Sequence, residues 1–273
     1  MNVKINNIIA SNKKPFILIA GPDSIESLDH AMLMAKSINK IAKQFQIPYV
    51  FKASYDKANR TSVTSFRGVG MEEGVKILTK IQDTLKIPVT TDVHTVEQAE
   101  YVGKFINLIQ VPALLSRQTD LLVAAGKTKK AVNIKKGQFI APQNANNLIG
   151  KVTSTGNTNV LITERGTTFG YNDVVTDMRG LEIMKRFGYP VIFDASHTVQ
   201  FPSNLGNKSG GDRSLIPALA KAAIAVGIAG IFMEIHNNPS KAPVDGLSSL
   251  DLKDLKGLLR TLKSIDKIVK NYE

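Results

Sequence analysis

The chain has 273 residues, of which 43% are hydrophobic and 21% charged, so it can bury a large core. Its net charge of +12 allows anionic partners, but an aromatic content of 6% and the lack of zinc-finger spacing argue against nucleic acid. Zero cysteines exclude disulfides and fit a reducing cytosol, and no apolar run approaches the roughly 20 residues that span a bilayer. Residues 1–14 lack the apolar segment of a secretory signal, so we expect a cytoplasmic protein without a membrane partner.

Short apolar runs alternate with amphipathic stretches from end to end. The runs predict strands over residues 16–20, 49–52, 89–92, 108–112, 131–134, 160–163, 191–194 and 230–234. Helical patterns begin near Ser27, Met71, Val96, Gln118, Asn144, Asp173, Arg213 and Leu252. Eight such pairs predict an α/β fold, a (β/α)8 TIM barrel, as one domain over residues 1–273; an open, doubly wound sheet is the alternative. We expect residues 1–14 to form a short extension that caps the bottom of the barrel.

Polar residues stand at the end of every predicted strand. They are Asp23 and Glu26, Lys52 and Lys57, Asp92 and His94, Gln110, Lys135 and Lys136, Glu164 and Arg165, Asp194 and His197, and Glu234 and His236. Because the carboxyl ends of barrel strands meet at one mouth, these side chains predict a site there. Five cations belong to this region: Lys52, Lys57, Arg60, Lys135 and Arg165. Ammonium and guanidinium groups bind phosphate and carboxylate well, so a small polyanionic ligand set is predicted.

The histidines allow two interpretations. His94 and His236 follow strand ends, where a structural hydrogen bond and a catalytic role are both open. His30 falls inside a helical pattern and is expected to be an ordinary surface residue.

Two strings resemble a known family. Lys-Ala-Asn-Arg-Thr-Ser at 57–62 and Arg-Gln-Thr-Asp at 117–120 are similar to the 3-deoxy-D-manno-octulosonate 8-phosphate synthases. Further similar segments, over residues 15–250, are 91–94, 110–113, 132–139, 163–171, 193–197 and 209–211. The related heptulosonate 7-phosphate synthases usually have Lys-Pro-Arg-Thr-Ser in place of the first string. The resemblance implies a transferase that condenses phosphoenolpyruvate with D-arabinose 5-phosphate and water, and releases inorganic phosphate. The product, 3-deoxy-D-manno-octulosonate 8-phosphate, would serve lipopolysaccharide biosynthesis.

The resemblance also implies residue roles. The substrate-binding positions are Lys52, Lys57, Asn59, Arg60, Ser62, Gln110, Ala113, Arg117, Lys135, Gln138 and Arg165, and the catalytic ones are Lys57, Asp92, Lys135 and His197. Lys135 and Arg165 would bind the phosphate of phosphoenolpyruvate, and Lys135 or His197 would carry a proton. Asn59, Arg60 and Ser62 would bind the sugar phosphate. Arg117 matches an arginine that completes the site of a neighbouring subunit, which implies a homotetramer.

Metal dependence stays open. Some members of the family bind a divalent metal through Cys, His, Glu and Asp, whereas others have Asn at the Cys position and need none. The matching residues here are Asp23, His197, Glu234 and Asp245, and Asp23 is neither Cys nor Asn. Three carboxylates and an imidazole would repel unless a cation or a proton joined them. Such an oxygen-rich set suits Mn²⁺, Fe²⁺ or Mg²⁺, but a nearby lysine could neutralise it instead. No organic cofactor is expected.

Three other functions are alternatives to this one. A Schiff-base aldolase would use Lys52 or Lys135 as its nucleophile. A heptulosonate synthase would accept erythrose 4-phosphate. A basic RNA-binding barrel would need an exposed basic face with stacking aromatics, whereas the cations here gather at strand ends.

Overall fold

The computed structural model describes residues 1–60, 62–202 and 210–272, and its centre is a closed barrel of parallel strands. The strands are β1 (Ile17–Gly21), β2 (Tyr49–Lys52), β3 (Val89–Asp92), β4 (Leu108–Val111), β5 (Ala131–Lys135), β6 (Val160–Glu164), β7 (Val191–Asp194) and β8 (Gly230–His236). Each strand pairs with the next, and β8 also pairs with β1, where Gly230 lies opposite Ile17. The predicted (β/α)8 barrel is therefore confirmed, and the open sheet is excluded.

Within the described residues, eight α-helices form the outer layer. They are α1 (Leu28–Gln44), α2 (Met71–Leu85), α3 (Val96–Val102), α4 (Thr119–Lys127), α5 (Ala145–Thr153), α6 (Met178–Lys185), α7 (Ile216–Ala225) and α8 (Leu252–Lys270). Their apolar faces pack on the sheet, as Leu78 and Ile81 of α2 do. Side-chain caps fix several starts; Ser27, for example, accepts a hydrogen bond from the backbone N–H of His30 at 3.1 Å. No helix in the described ranges is both long and apolar enough to cross a membrane.

Two predicted helix starts are wrong by several residues. α6 begins at Met178 rather than near Asp173, because Val174–Val175 pairs with Thr167–Thr168 as an antiparallel ribbon. The side chain of Asp177 then caps the helix by accepting from the N–H of Arg179. α7 begins at Ile216, and a 3-10 turn over Arg213–Leu215 occupies the predicted start.

The N-terminal residues cap the bottom of the barrel as predicted. Val3–Ile5 and Ile8–Ala10 pair antiparallel as a hairpin. The buried side chains of this hairpin join the lower interior of the barrel, including Ile19 and Phe232, in one apolar cluster. This hairpin closes the end of the barrel opposite to the mouth.

The barrel interior changes from apolar to polar along its axis. Alternate residues of a strand face the interior, so an apolar residue is followed two positions later by a polar one. Val50 precedes Lys52 in this way, and Leu108 precedes Gln110. The apolar layer packs on the hairpin, and the polar layer lies below the mouth.

One buried carboxylate joins the last helix to the first strand. Oδ2 of Asp266 in α8 accepts from the backbone N–H of Phe16 at 3.0 Å and from the Tyr272 hydroxyl at 2.6 Å. The Nζ of Lys270 lies 2.8 Å from Oδ1. Because the N–H of Phe16 donates to Asp266, it does not join the strand ladder. β1 therefore begins at Ile17 rather than at the predicted Phe16.

We expect Asp266→Ala to lower the free energy of unfolding by about 3 kcal/mol, because it leaves the Lys270 ammonium without its counter-charge and the backbone N–H of Phe16 without its acceptor. Urea denaturation would measure the loss. The exposed α8 substitution Lys256→Ala is the control and should change stability by less than about 0.5 kcal/mol. Equal urea midpoints for the two variants would contradict this role of Asp266.

Candidate active site

A cavity of about 240 Å³ opens at the mouth of the barrel. Of the predicted site residues, those that line it are Lys52, Lys57, Asn59, Asp92, Gln110, Ala113, Lys135, Gln138, Arg165, His197 and Glu234, and His94 lines it as well. Four of these side chains are cations, contributed by the ends of β2, β5 and β6 and by the loop after β2. The structure therefore brings most of the predicted site together and gives it the positive charge that a polyanionic ligand needs.

Lys52 and Lys57 lie over two carboxylates. The Nζ of Lys52 is 3.0 Å from Glu234 Oε1 and 2.9 Å from the carbonyl oxygen of Asp23, and Lys57 forms an ion pair with Asp23 Oδ1. Gly21 allows the backbone of Lys52 to approach the end of β1 closely, because a Cβ at Gly21 would lie 2.0 Å from the carbonyl oxygen of Lys52. Burial alone would lower the pKa of Lys57, but Asp23 and Glu234 raise it above the usual value. Lys57 is therefore a permanent cation.

Lys135 and Arg165 form a second cationic pair across the cavity. The Nζ of Lys135 lies 2.6 Å from Asp194 Oδ2 and 3.6 Å from the ring centroid of Phe232. Burial lowers the pKa of Lys135 in spite of Asp194, so it gives up its proton more readily than an ordinary lysine. Arg165 donates to Gln200 through Nη2 at 3.2 Å, while its Nη1 is buried without a partner in the described part of the chain. Nη1 is a donor available to a ligand.

Asp194 orients His197. Its Oδ2 lies 2.7 Å from His197 Nδ1, and its Oδ1 accepts from the backbone N–H groups of Ser196 and His197. Burial alone would raise the pKa of Asp194, but His197 and Lys135 lower it well below the usual value. An ionised Asp194 accepts a hydrogen bond from the Nδ1–H group of His197. Burial lowers the pKa of His197, so in the neutral ring Nε2 carries a lone pair.

The predicted metal ligands do converge. Single ligand atoms of Asp23, His197, Glu234 and Asp245 all lie within 4.8 Å of one another. The Nε2 lone pair of His197 faces Glu234 Oε1 at 3.6 Å and Asp245 Oδ2 at 3.9 Å. Burial raises the pKa of Glu234, and the neighbouring charge of Asp23 raises it further. Lone pairs that face each other in a buried site require a cation or a proton between them.

The donor set fits a divalent cation, although lysines already bind part of it. Lys52 binds Oε1 of Glu234 and Lys57 binds Oδ1 of Asp23, so the alternative of neutralisation by lysine is met for these two oxygens. The second oxygens, Asp23 Oδ2 and Glu234 Oε2, are buried without a hydrogen-bond partner among the described residues. A histidine whose other nitrogen is fixed by a carboxylate is the usual form of a metal-binding histidine.

Five predicted residues lie away from the cavity lining, and one of them is Asp23, whose carboxylate pairs with Lys52 and Lys57. Arg60 and Ser62 are on the loop after β2, on either side of Thr61, which lies outside the described residues. Arg117 is exposed before α4, where its carbonyl accepts from Lys151 Nζ at 2.7 Å. Ser209, in the similar segment 209–211, also lies outside the described residues. Asp245 lies behind the lining, with Oδ2 accepting from Gln200 Nε2 at 2.5 Å.

The histidines outside this cluster differ in their surroundings. His94 lines the cavity, and its Nδ1 lies 3.1 Å from Gln98 Oε1. His236 has both ring nitrogens occupied: Nε2 is 2.8 Å from Glu26 Oε1, and Nδ1 accepts from the N–H of Asn238. The prediction for His30 is wrong, because its side chain is only 15% exposed and its ring lies 4.8 Å from that of His236.

Lys136 and Glu164 face away from the cavity. They neighbour Lys135 and Arg165 in sequence, and the alternation of a strand turns them toward the helices. The Nζ of Lys136 donates to the carbonyls of Gly137 and Ile140 and lies 3.5 Å from Glu164 Oε1. The same Oε1 accepts from the N–H of Arg165 at 3.0 Å. This buried pair thus holds the backbone behind the two cations.

We expect Glu164→Leu to lower the free energy of unfolding by about 3–5 kcal/mol, because Lys136 would be left buried without a counter-charge. The double variant Lys136→Met/Glu164→Leu should be more stable than this single variant, since it removes the uncompensated charge as well. Denaturant titration of the variants gives both values. A double variant no more stable than Glu164→Leu would contradict the compensation.

Sequence reasoning missed three buried polar residues below the cavity. Ser54 donates to Asp92 Oδ2, and Asn133 and Thr163 hydrogen-bond within the barrel interior. The signal that could have found Asn133 and Thr163 is a polar residue at an inward position of an apolar strand.

Comparison with known proteins agrees with this geometry. The family model described as the DAHP synthetase I family matches residues 1–271. A 2-dehydro-3-deoxyphosphooctonate aldolase of Geotalea uraniireducens is 51% identical over 268 residues, which is 98% of both chains. Proteins of the same name from Geobacter sulfurreducens and Bartonella bacilliformis are 52% and 50% identical, over 98% and 99% of this chain and 98% and 96% of their own lengths. A family match over nearly the whole chain, and relatives at half identity over their full length, show that this chain belongs to the DAHP synthetase I family.

Proposed function

We propose that this chain condenses phosphoenolpyruvate with D-arabinose 5-phosphate and water, giving 3-deoxy-D-manno-octulosonate 8-phosphate and inorganic phosphate. The observation that carries this function is the ring of four cations around one small cavity, in a chain half identical to 2-dehydro-3-deoxyphosphooctonate aldolases. The two substrates bring two phosphates and one carboxylate, and the site is built to offset this negative charge.

The cations divide between the two substrates. Lys135 and Arg165 bind the phosphate of phosphoenolpyruvate; Nη1 of Arg165, which has no hydrogen-bond partner among the described residues, supports this assignment. The backbone at Ala113 and the side chain of Gln138 border the same side of the cavity. Lys52, Lys57 and Gln110 lie where its carboxylate and reacting carbons would be. The sugar phosphate then lies toward the loop after β2, with Asn59, Arg60 and Ser62.

The reaction is an aldol-like addition followed by cleavage of a carbon–oxygen bond. The enol carbon of phosphoenolpyruvate attacks the sugar aldehyde, and water adds to C2. The resulting bisphosphate hemiketal then loses inorganic phosphate. Fixed cations lower the barrier by stabilising the negative charge that develops on oxygen, and they need no reorganisation during the reaction.

Asp92 and Lys135 take different parts in this reaction. Burial alone would raise the pKa of Asp92, but the nearby lysines, chiefly Lys52 and Lys57, hold it well below the usual range. Asp92 is therefore a fixed acceptor for a substrate hydroxyl or for the attacking water. Lys135, with its lowered pKa, is the proton carrier, and His197 lies 3.4 Å from its Nζ.

Asp23, His197, Glu234 and Asp245 would hold a divalent cation. The buried oxygens Asp23 Oδ2 and Glu234 Oε2, which have no hydrogen-bond partner in the described ranges, and the lone pair of His197 support this assignment. The oxygen-rich donor set suits Mn²⁺, Fe²⁺ or Mg²⁺. Such an ion, when bound, would act as a Lewis acid next to the reacting carbons.

Arg117 serves a neighbouring subunit in a homotetramer. Arg117 is exposed and does not line the cavity of its own chain, yet it lies in the segment after β4, on the mouth side of the barrel. Exposed apolar side chains lie in the same loop and in the loops after β5 and β6: Leu114, Phe139, Phe169 and Tyr171. A surface of this kind fits burial against another copy of the chain.

The first test is release of inorganic phosphate from phosphoenolpyruvate plus arabinose 5-phosphate, with and without EDTA. We expect activity that EDTA abolishes and Mn²⁺ or Fe²⁺ restores. Activity unchanged by the chelator would contradict the metal assignment and leave the synthase assignment intact. A Lys135→Ala variant with near-normal turnover would remove the proton-carrier role.

Two rival functions predict other results in the same assay. Phosphate release with erythrose 4-phosphate but not with arabinose 5-phosphate would identify a heptulosonate synthase. Loss of activity after borohydride treatment with pyruvate would indicate an imine on Lys52 or Lys135, which the proposed condensation does not form.

The shared site can be tested by mixing two inactive variants. Arg117→Ala and Lys135→Ala subunits, mixed and allowed to exchange, should regain activity, because some sites would combine an intact Lys135 with an intact Arg117 from the neighbour. Light scattering would confirm that mixed assemblies form. Mixed assemblies without recovered activity would contradict the role of Arg117 in the neighbouring site.

A further inference from the structure

We infer that Asn133 and Thr163 are positioning residues, which hold the amide of Gln110 so that it offers only N–H donors to the phosphoenolpyruvate carboxylate. The inference deepens the proposed function and rests on it. Asn133 and Thr163 do not line the cavity, whereas Gln110 does.

Four neighbouring strands contribute one residue each to a hydrogen-bonded chain inside the barrel. Thr163 Oγ1 on β6 donates to Asn133 Oδ1 on β5 at 2.6 Å. Asn133 Nδ2 donates to Gln110 Oε1 on β4 at 3.0 Å, and Gln110 Nε2 donates to Asp92 Oδ1 on β3 at 2.5 Å. All four side chains are buried. We call these four residues the polar belt.

The negative charge of Asp92 determines which groups of the polar belt donate hydrogen bonds and which accept them. A carboxylate only accepts hydrogen bonds, and the neighbouring lysines keep Asp92 ionised. Gln110 must therefore turn its NH₂ group toward Asp92 and its carbonyl toward Asn133. Asn133 must in turn offer its own NH₂, which leaves its carbonyl for the hydroxyl of Thr163. The three hydrogen bonds of the polar belt thus all run in one direction, from Thr163 toward Asp92.

This direction decides what a ligand meets at Gln110. The amide oxygen is occupied by Asn133, and one N–H is occupied by Asp92. The second N–H of Nε2 is the group left for the cavity. An N–H donor suits an anionic oxygen, such as a carboxylate, and opposes a ligand that offers a hydroxyl or amine hydrogen at the same place.

Not every buried polar residue of the barrel interior belongs to the polar belt. Thr90 also faces the interior of β3, two residues before Asp92, and its Oγ1 is buried without a hydrogen-bond partner in the described ranges. Thr90→Val is therefore a matched control: it changes an interior threonine on the strand of Asp92 without touching the polar belt.

The test compares KM values for the two substrates in the full-length protein. Asn133→Leu removes the hydrogen bond that fixes Gln110, and we expect KM for phosphoenolpyruvate to rise about tenfold or more. KM for arabinose 5-phosphate should stay within about twofold, because the sugar phosphate lies away from Gln110. Thr163→Val should give a smaller rise for phosphoenolpyruvate, Thr163→Ser should restore the wild-type value, and Thr90→Val should change neither.

A purely structural role would give another pattern. Lower melting temperatures with both KM values unchanged, or with both raised equally, would overturn the inference. If Asn133→Leu fails to fold, the Thr163→Val and Thr163→Ser pair decides by the same criterion. Calorimetric titration of phosphoenolpyruvate separates the two hypotheses. Weaker binding by the variants supports the polar belt even if the wild type released no phosphate, whereas an active wild type with unchanged binding in the variants overturns the polar belt alone.

Discussion

Charge pairing across strands is the constraint on which this barrel mouth depends. An unpaired ion in a buried site costs several kcal/mol, so each buried lysine needs a carboxylate within reach. The partners come from distant parts of the chain: Lys52 pairs with Glu234, and Lys135 with Asp194. The Lys52–Glu234 pair spans the pairing of β8 with β1, so it forms only when the barrel is closed. Closure of the barrel therefore completes this part of the site.

The same pairing limits how substrates can enter. Lys52, Lys57 and Lys135 already have carboxylate partners, so an anionic substrate must share each of them. Arg165 differs, because among the described residues its guanidinium contacts an amide oxygen and no carboxylate lies within 4 Å. Its charge is the least committed in the cavity. A phosphate at Arg165 would therefore compete with no carboxylate of the described residues, whereas at the lysines it would share their hydrogen bonds with the protein.

Local sequence pattern predicts which strand ends form this site, whereas side-chain orientation and helix starts depend on distant contacts. Apolar runs and the polar residues that follow them are local features, so the strand ends and the cations at the mouth could be predicted from the sequence. The alternation that turns Lys135 inward and Lys136 toward the helices needs the strand register. The late start of α6 depends on a ribbon between residues 167–168 and 174–175, and the burial of His30 depends on His236, more than 200 residues away. No short segment contains such information.

Neutral amides suit the layer beneath the charges for an electrostatic reason. The mouth already holds several carboxylates and lysines in mutual contact, and another ionisable group below them would need its own counter-charge. Gln110 and Asn133 are neutral amides, so each orients the next side chain through a hydrogen bond and adds no net charge. The hydroxyl of Thr163 ends the chain, since it can donate without requiring a further charged acceptor. The interior thus passes from apolar packing on the N-terminal hairpin, through oriented amides, to paired ions, and each layer fixes the one above it.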